Sequence, residues 1–192
     1  MWTAGVHSWI YYPDRESYIN ESAPAVNYEG SNEILAGVND SDSYTAYFHF
    51  NLTEKPYYYV NSLNLRLLIS SPVENESDCS LLITDNQWEE NSLNWLNKPM
   101  DIENLSFTIL QWGGDNLVFI IDIDSLINRD EISFCLSSST ELITILAEEV
   151  YFKVVHTHTI PLIIACILGI SIDVFPVIYL IIIKPRIEKK RK

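Results

Sequence analysis

Along residues 17–155 apolar side chains recur at every second position in short runs, and clusters of Asn, Ser, Asp and Pro separate the runs. A spacing of two is the repeat of a half-buried β-strand, whose successive side chains leave opposite faces, and the three-to-four spacing of a helix is nearly absent. In residues 44–50 the set Tyr44, Ala46, Phe48, Phe50 alternates with Thr45, Tyr47, His49. In residues 63–69 the set Leu63, Leu65, Leu67, Ile69 alternates with Asn64, Arg66, Leu68. Each strand has one apolar face, which predicts two inner strands of a sandwich. Further strands are predicted at residues 17–20, 33–36, 80–84, 106–112, 117–122, 132–137, 142–147 and 150–155. About ten short strands in about 140 residues fit an all-β, two-sheet jelly-roll sandwich better than a seven-strand immunoglobulin-type domain.

The pattern changes after residue 155. Residues 160–183 contain a single charged side chain, Asp173. At 1.5 Å per residue a helix of this length spans roughly 36 Å, enough to cross a hydrocarbon core of about 30 Å. The predicted organisation is therefore an N-terminal extension (1–13), a sandwich (14–155), a juxtamembrane segment with one transmembrane helix (156–183) and a basic tail (184–192). An acid within such a helix is costly and usually paired, so Asp173 marks a contact point for a partner helix; local polarity from Ser171 and Pro176 is the alternative.

Charge refines this picture. The chain of 192 residues carries a formal net charge of −14. Residues 1–155 hold six basic side chains against 24 acids, whereas Lys184, Arg186, Lys189, Lys190, Arg191 and Lys192 follow the apolar segment. Short basic flanks stay cytoplasmic, which places the acidic domain outside the cell. No basic start followed by an apolar run is visible at the N-terminus, so a tail-anchored arrangement with the domain in the cytosol stands as the alternative. Five Asn-x-Ser/Thr sequons, at Asn20, Asn39, Asn51, Asn75 and Asn104, matter only on an exported chain. A strongly acidic domain excludes nucleic acid as a partner. With 12% aromatic residues, 6 Gly and 8 Pro, the chain is neither disordered nor collagen-like. Of three cysteines, Cys166 falls in the apolar segment; this leaves Cys79 and Cys135 as the candidate disulfide pair, with two buried thiols as the alternative.

Three blocks carry a resemblance. The stretch ITDNQWEENSLNWLNKP places Trp88, Glu90, Trp95, Asn97 and Pro99 in a W-x-E, spacer, W-x-N-x-P pattern. DRESYINESAPAVNYEGSNEILAG precedes it, and DIDSLIN follows it with Asp122, Ser125 and Leu126. In this order they resemble the DNRLRE-type domains, which are also classed among carbohydrate-binding modules; Asn94 stands where that family usually has Thr. The resemblance covers residues 14–140 and implies a jelly-roll sandwich of cell-surface proteins, with polysaccharides such as alginate bound by some members. Trp88 and Trp95 are expected to bury apolar area across the sheets, while Glu90 and Asn97 hydrogen-bond loop backbone.

Candidate sugar contacts are Tyr47, His49 and Arg66 on the polar faces of the two inner strands, where an aromatic ring stacks on pyranose CH groups and polar groups meet hydroxyls. Ordinary cross-strand packing is the competing reading. Asn39, Asp40 and Asp42 crowd one loop with hard oxygen donors of the kind Ca²⁺ takes, with solvated acids as the alternative. His156 and His158 supply two ligands at most. The chain lacks a G-x-S-x-G elbow, a P-loop and an H-E-x-x-H helix, so a non-enzymatic protein is expected. Two functions fit: a membrane-anchored surface domain that binds carbohydrate or an envelope glycoprotein, or a structural or adhesive envelope subunit that associates through its acidic face and its membrane helix.

Overall fold

The computed structural model describes residues 6–53, 60–70, 78–105, 107–112, 116–121 and 129–157. The predicted membrane segment, the basic tail, Asn75, Asp122, His158 and Asp173 lie outside the described residues. Among the described residues no helix is long and apolar enough to cross a membrane.

Val6–Thr157 forms one compact unit built from two antiparallel sheets. Its strands are β1 (Val6–Tyr11), β2 (Arg15–Asn20), β3 (Glu33–Asn39), β4 (Asp42–Asn51), β5 (Val60–Leu68), β6 (Cys79–Thr84), β7 (Asp101–Asn104), β8 (Phe107–Trp112), β9 (Asn116–Ile121), β10 (Glu131–Ser138), β11 (Leu142–Leu146) and β12 (Tyr151–Thr157). The five-stranded sheet runs β1-β12-β5-β9-β8. The seven-stranded sheet runs β11-β3-β4-β10-β6-β7, with β2 also paired to β4. This is the expected all-β sandwich.

The alternation seen in the sequence sets what faces inward. Ala46, Phe48 and Phe50 of β4 and Leu63, Leu65 and Leu67 of β5 are buried in the core between the sheets. Three rings join the two layers there: Phe50 and Phe134 meet edge to face at 6.0 Å, and Phe152, from the opposite sheet, stands 5.7 Å from each. Offset and edge-on ring pairs of this kind add about 0.5–1.5 kcal/mol each beyond the area they bury.

Two strands escaped the sequence pattern. β1 lies in the segment read as an N-terminal extension and pairs along its whole length with β12, from Val6 opposite Thr157 to Tyr11 opposite Phe152. β7, with the sequence DIEN, is exposed at every position and pairs with β6 through its backbone, so it carries no apolar alternation to read. The β3–β4 hairpin turns through Asp40 and Ser41, with Asn39 opposite Asp42 and Asp40 at φ 50°. Short polar side chains tolerate that left-handed backbone, which accounts for the acids in this loop as turn chemistry.

Candidate functional site

The segment from Asp85 to Met100 folds back over the outer face of the seven-stranded sheet, and Asp85 N–H donates to the Met100 carbonyl at its base at 3.0 Å. Trp88 and Leu93 are pressed with Ile19, Tyr47 and Cys135 into a second small core, with Leu82 and Trp95 at its margin. The Trp88 indole N–H donates to Ser133 Oγ at 3.0 Å, the Arg15 guanidinium lies 5.3 Å from the Trp88 ring centre, and Tyr47 meets that ring edge-on at 6.0 Å. Asn94 Oδ1 accepts from Leu96 N–H and Asn94 N–H donates to Asn97 Oδ1, a capping box around the single turn Trp95–Asn97. Asn and Thr are both good N-caps, so Asn94 supplies what the usual Thr would. Asn97 also donates to the Ser92 carbonyl at 2.7 Å, and Pro99 follows the turn. The Glu90 carboxylate takes a long contact from Gly30 N–H at 3.5 Å, and Asn27 clamps the segment by donating to the carbonyls of Glu90 and Leu93. The tryptophan motif therefore builds a loop that lies on the outside of one sheet, and Trp88 and Trp95 do not span the two sheets as expected.

Burial overturns two of the sugar-contact expectations. Tyr47 and His49 lie on the outward side of β4, yet each is only 2% exposed. A buried ring offers no face to a pyranose. Burial also pushes the Tyr47 hydroxyl well above the ordinary phenol range, as expected for a packed side chain.

Arg66 sits elsewhere, on the outer face of the five-stranded sheet. Its Nη1 donates to the Tyr151 hydroxyl at 2.7 Å, while Nε and Nη2 donate to Asn116 Oδ1 at 3.0 and 2.7 Å. The guanidinium is 5.6 Å from the Tyr151 ring centre, and Tyr12 packs edge-on against the same ring at 6.4 Å with 65% of its surface exposed. Registers across β12, β5 and β9 place Tyr151, Arg66 and Val118 on one rung and Lys153, Asn64 and Ile120 on the next. None of the five strands in this sheet contains an Asp or Glu, although residues 1–155 hold 24 acids; the acids found in strands are Glu16, Glu33, Asp42, Asp101, Glu103 and Glu131, all in the other sheet. The face thus combines an exposed aromatic ring, a guanidinium held rigid by a tyrosine and an amide, and a lysine. Sequence reasoning found Arg66 but missed Tyr12, Tyr151 and Asn116, because no local signal links residues that meet only when β1, β12, β5 and β9 line up.

The disulfide expectation fails on geometry. Cys79 stands opposite Ser138 and Cys135 opposite Leu82 in the β6–β10 pair, and the two belong to the main core and the outer cluster respectively. Thiols on opposite faces of a sheet cannot bridge, and both cysteines are thiols here. Burial, with the nearby Asp101 carboxylate, pushes the Cys135 thiol up to about 12, so it stays protonated and inert. Asn39, Asp40 and Asp42 form the hairpin described above, with Asp42 accepting from the Tyr44 hydroxyl at 3.2 Å. Among the described residues no three His, Cys, Asp or Glu side chains converge to hold a metal ion. The sequon at Asn20 is closed, since that side chain is buried and its Oδ1 accepts from Ser22 N–H.

Glu16 on β2 is a cost built into this region. Burial first, and the Glu90 charge second, push its carboxyl up to about 7, and its Oε2 is buried with no hydrogen-bond partner. Because the folded value lies above the unfolded one, the protonated form favours folding; the contribution is complete below about pH 4.5 and is lost as pH rises through 7. Glu16→Gln is expected to stabilise the protein by about 1 kcal/mol at pH 8, after discounting for partial solvent screening, and by almost nothing at pH 4. Denaturant midpoints at the two pH values check this; equal gains at both would contradict it.

A two-sheet sandwich whose seven-stranded sheet carries the tryptophan loop on its outer side, and whose five-stranded sheet has no acid in its strands and an exposed Tyr12 at its margin, has the form of a binding module. A family model for carbohydrate-binding module family 96 matches residues 9–149, and the chain belongs to that family. No curated protein matches the chain. The match covers the block order Trp88, Glu90, Trp95, Asn97, Pro99, and it carries the carbohydrate-binding part of the resemblance read from the sequence.

Proposed function

We propose that this protein holds a polysaccharide against the outer face of its five-stranded sheet, displayed at the cell surface by its apolar C-terminal segment. The observation that carries the reading is the Tyr12–Tyr151–Arg66–Asn116 constellation on a sheet that contains no acid. Tyr12 offers a ring to the CH-rich side of a sugar, and Lys153 and Asn64, one rung away, face its hydroxyls or carboxylates. Arg66, already bonded on three N–H groups, acts as the rigid member that sets the positions of Tyr151 and Asn116. A module of this kind binds without transforming its ligand, which agrees with the absence of catalytic motifs in the sequence.

The test uses intact cells that express the full chain with an N-terminal tag. External protease is expected to remove the tag, and a labelled panel of neutral and uronate-containing polysaccharides is expected to include a saturable ligand. Tyr12→Ala and Arg66→Ala should each weaken that binding about tenfold, the first by removing a stacking ring and the second by releasing Tyr151 and Asn116 from their positions. Protection of the tag until lysis would sink the surface placement. Saturable binding that both variants leave unchanged would move the site off this face.

A further inference from the structure

β1 is an open edge. It pairs with β12, and among the described residues no strand pairs with its other side, so alternate N–H and C=O groups along Val6–Tyr11 point away from the sheet. Folded proteins usually blunt such edges with charge or cover. β7 carries Asp101 and Glu103, β2 carries Arg15 and Glu16, and β11 is covered where Ile69 bridges to Ile145 and Ser70 N–H donates to the Thr144 carbonyl at 2.9 Å. The sequence VHSWIY has neither device, holding no Asp, Glu, Lys, Arg, Pro or Gly. Trp9 and Ile10, 40% and 48% exposed at consecutive positions, leave both faces of the strand uncovered. β8, at the far edge of the same sheet, also lacks charge, but its Phe107 turns onto Phe119 at 5.3 Å, and none of its described side chains is a large exposed apolar one.

We propose that β1 pairs antiparallel with β1 of a second copy of this chain, joining two five-stranded sheets into one continuous sheet. Directly opposite residues in such a ladder share a face, so the twofold axis passes through a residue position. With Trp9 on the axis the two exposed indoles meet, Ile10 lies opposite Ser8 of the second copy, and the exposed apolar surface of each strand is covered by the other. Charge selects this edge for self-association. Residues 1–155 hold 24 acids against six basic side chains, and like charges directly opposite are destabilising. The same pairing through β7 would set Asp101 and Glu103 against each other, whereas the β1 ladder contains no acid, and Asp14 falls beyond it. The axis stands perpendicular to the sheet, so both outer faces open on the same side, with two Tyr151–Arg66–Asn116 constellations turned one way. On the polysaccharide reading of that face, a long polymer engages both copies at once and gains avidity.

The test is the mass of the full chain in detergent, measured by sedimentation over a range of protein concentrations; it needs no ligand, so its outcome is separate from that of the polysaccharide reading. A reversible dimer is expected. Ile10→Lys should weaken it about tenfold or more while keeping the native circular dichroism, and Ser8→Lys, at the position opposite Ile10 of the second copy, should do the same. Thr108→Lys, at an exposed position of β8, should leave the dimer intact. A monomer at every concentration would overturn the proposal. A dimer that both β1 variants leave intact and Asp173→Ala abolishes would also overturn it, placing the contact in the apolar segment. So would open-ended oligomers stopped by Thr108→Lys, which would set β1 of one copy against β8 of the next.

Discussion

Gly37→Ala is expected to cost about 4 kcal/mol or more and to leave little folded protein. Gly37 sits in β3 at φ +106°, a backbone region that side-chain-bearing residues avoid. A Cβ built there would lie 1.9 Å from the backbone carbonyl oxygen of Glu141 and 3.1 Å from the Ser138 side chain. The carbonyl cannot withdraw cheaply, because it also accepts from Val38 N–H at 3.2 Å at the point where β11 enters the sheet beside β3. Gly30 is the control: its φ is +68°, but nothing lies within 4 Å of the added atom, so Gly30→Ala should cost only about 1–2 kcal/mol for the left-handed backbone. Urea unfolding of the two variants beside the parent measures both. Equal stability of Gly37→Ala and the parent would mean that β11 does not approach β3 as described.

Trp88→Ala is expected to destabilise the domain by about 3–5 kcal/mol, as for other large-to-small changes in a packed site. Trp88 is 5% exposed and forms the centre of the outer cluster with Ile19, Tyr47, Leu93 and Cys135. Removing it opens a cavity, exposes Tyr47, and takes the donor from Ser133 Oγ, which has no exposure to water. Trp88→Phe should keep most of the packing and lose mainly the hydrogen bond, about 1–2 kcal/mol. The pair also separates structure from recognition. Because Trp88 covers the seven-stranded sheet and Arg66 lies on the outer face of the other, polysaccharide binding by Trp88→Phe below its melting temperature should match the parent. A loss of binding in that folded variant would mean that the motif loop itself touches the ligand.

How much of this was legible in the chain differs by element. The strands around Phe48 and Leu65 read clearly, because half-buried strands impose a strict repeat of two and both have strong apolar sides. β7 did not, because an exposed edge strand held by ladder bonds to β6 and by the polar contacts of Asp101 and Glu103 needs no apolar side chain. β1 did not, because its partner β12 lies about 140 residues further along and nothing local announces the pairing. The alternation put Tyr47 and His49 on the outward side of β4 correctly, but alternation says which way a side chain leaves the sheet and not whether something covers it. Over Tyr47 the cover is the tryptophan loop through Trp88, and beside His49 stand Asp14 and Glu131, none of which the alternation of β4 reveals. Arg66 shows the complementary case: its outward face was legible, while Asn116 and Tyr151, 50 and 85 residues away, were not.

The sequence by itself determined the strand character of the chain, the acidic balance of residues 1–155 and the apolar run at 160–183, because these rest on interactions between residues a few positions apart or on composition alone. Only the tertiary structure decided that the acids in strands gather in one sheet, that the tryptophan loop packs over Tyr47 on one outer face while Arg66 meets Tyr151 and Asn116 on the other, and that Cys79 and Cys135 face opposite ways. The physical reason is that strand pairing is a long-range choice made by closure of the whole core. Any strand can hydrogen-bond any other, and which neighbours it keeps depends on which arrangement buries all the apolar faces at once.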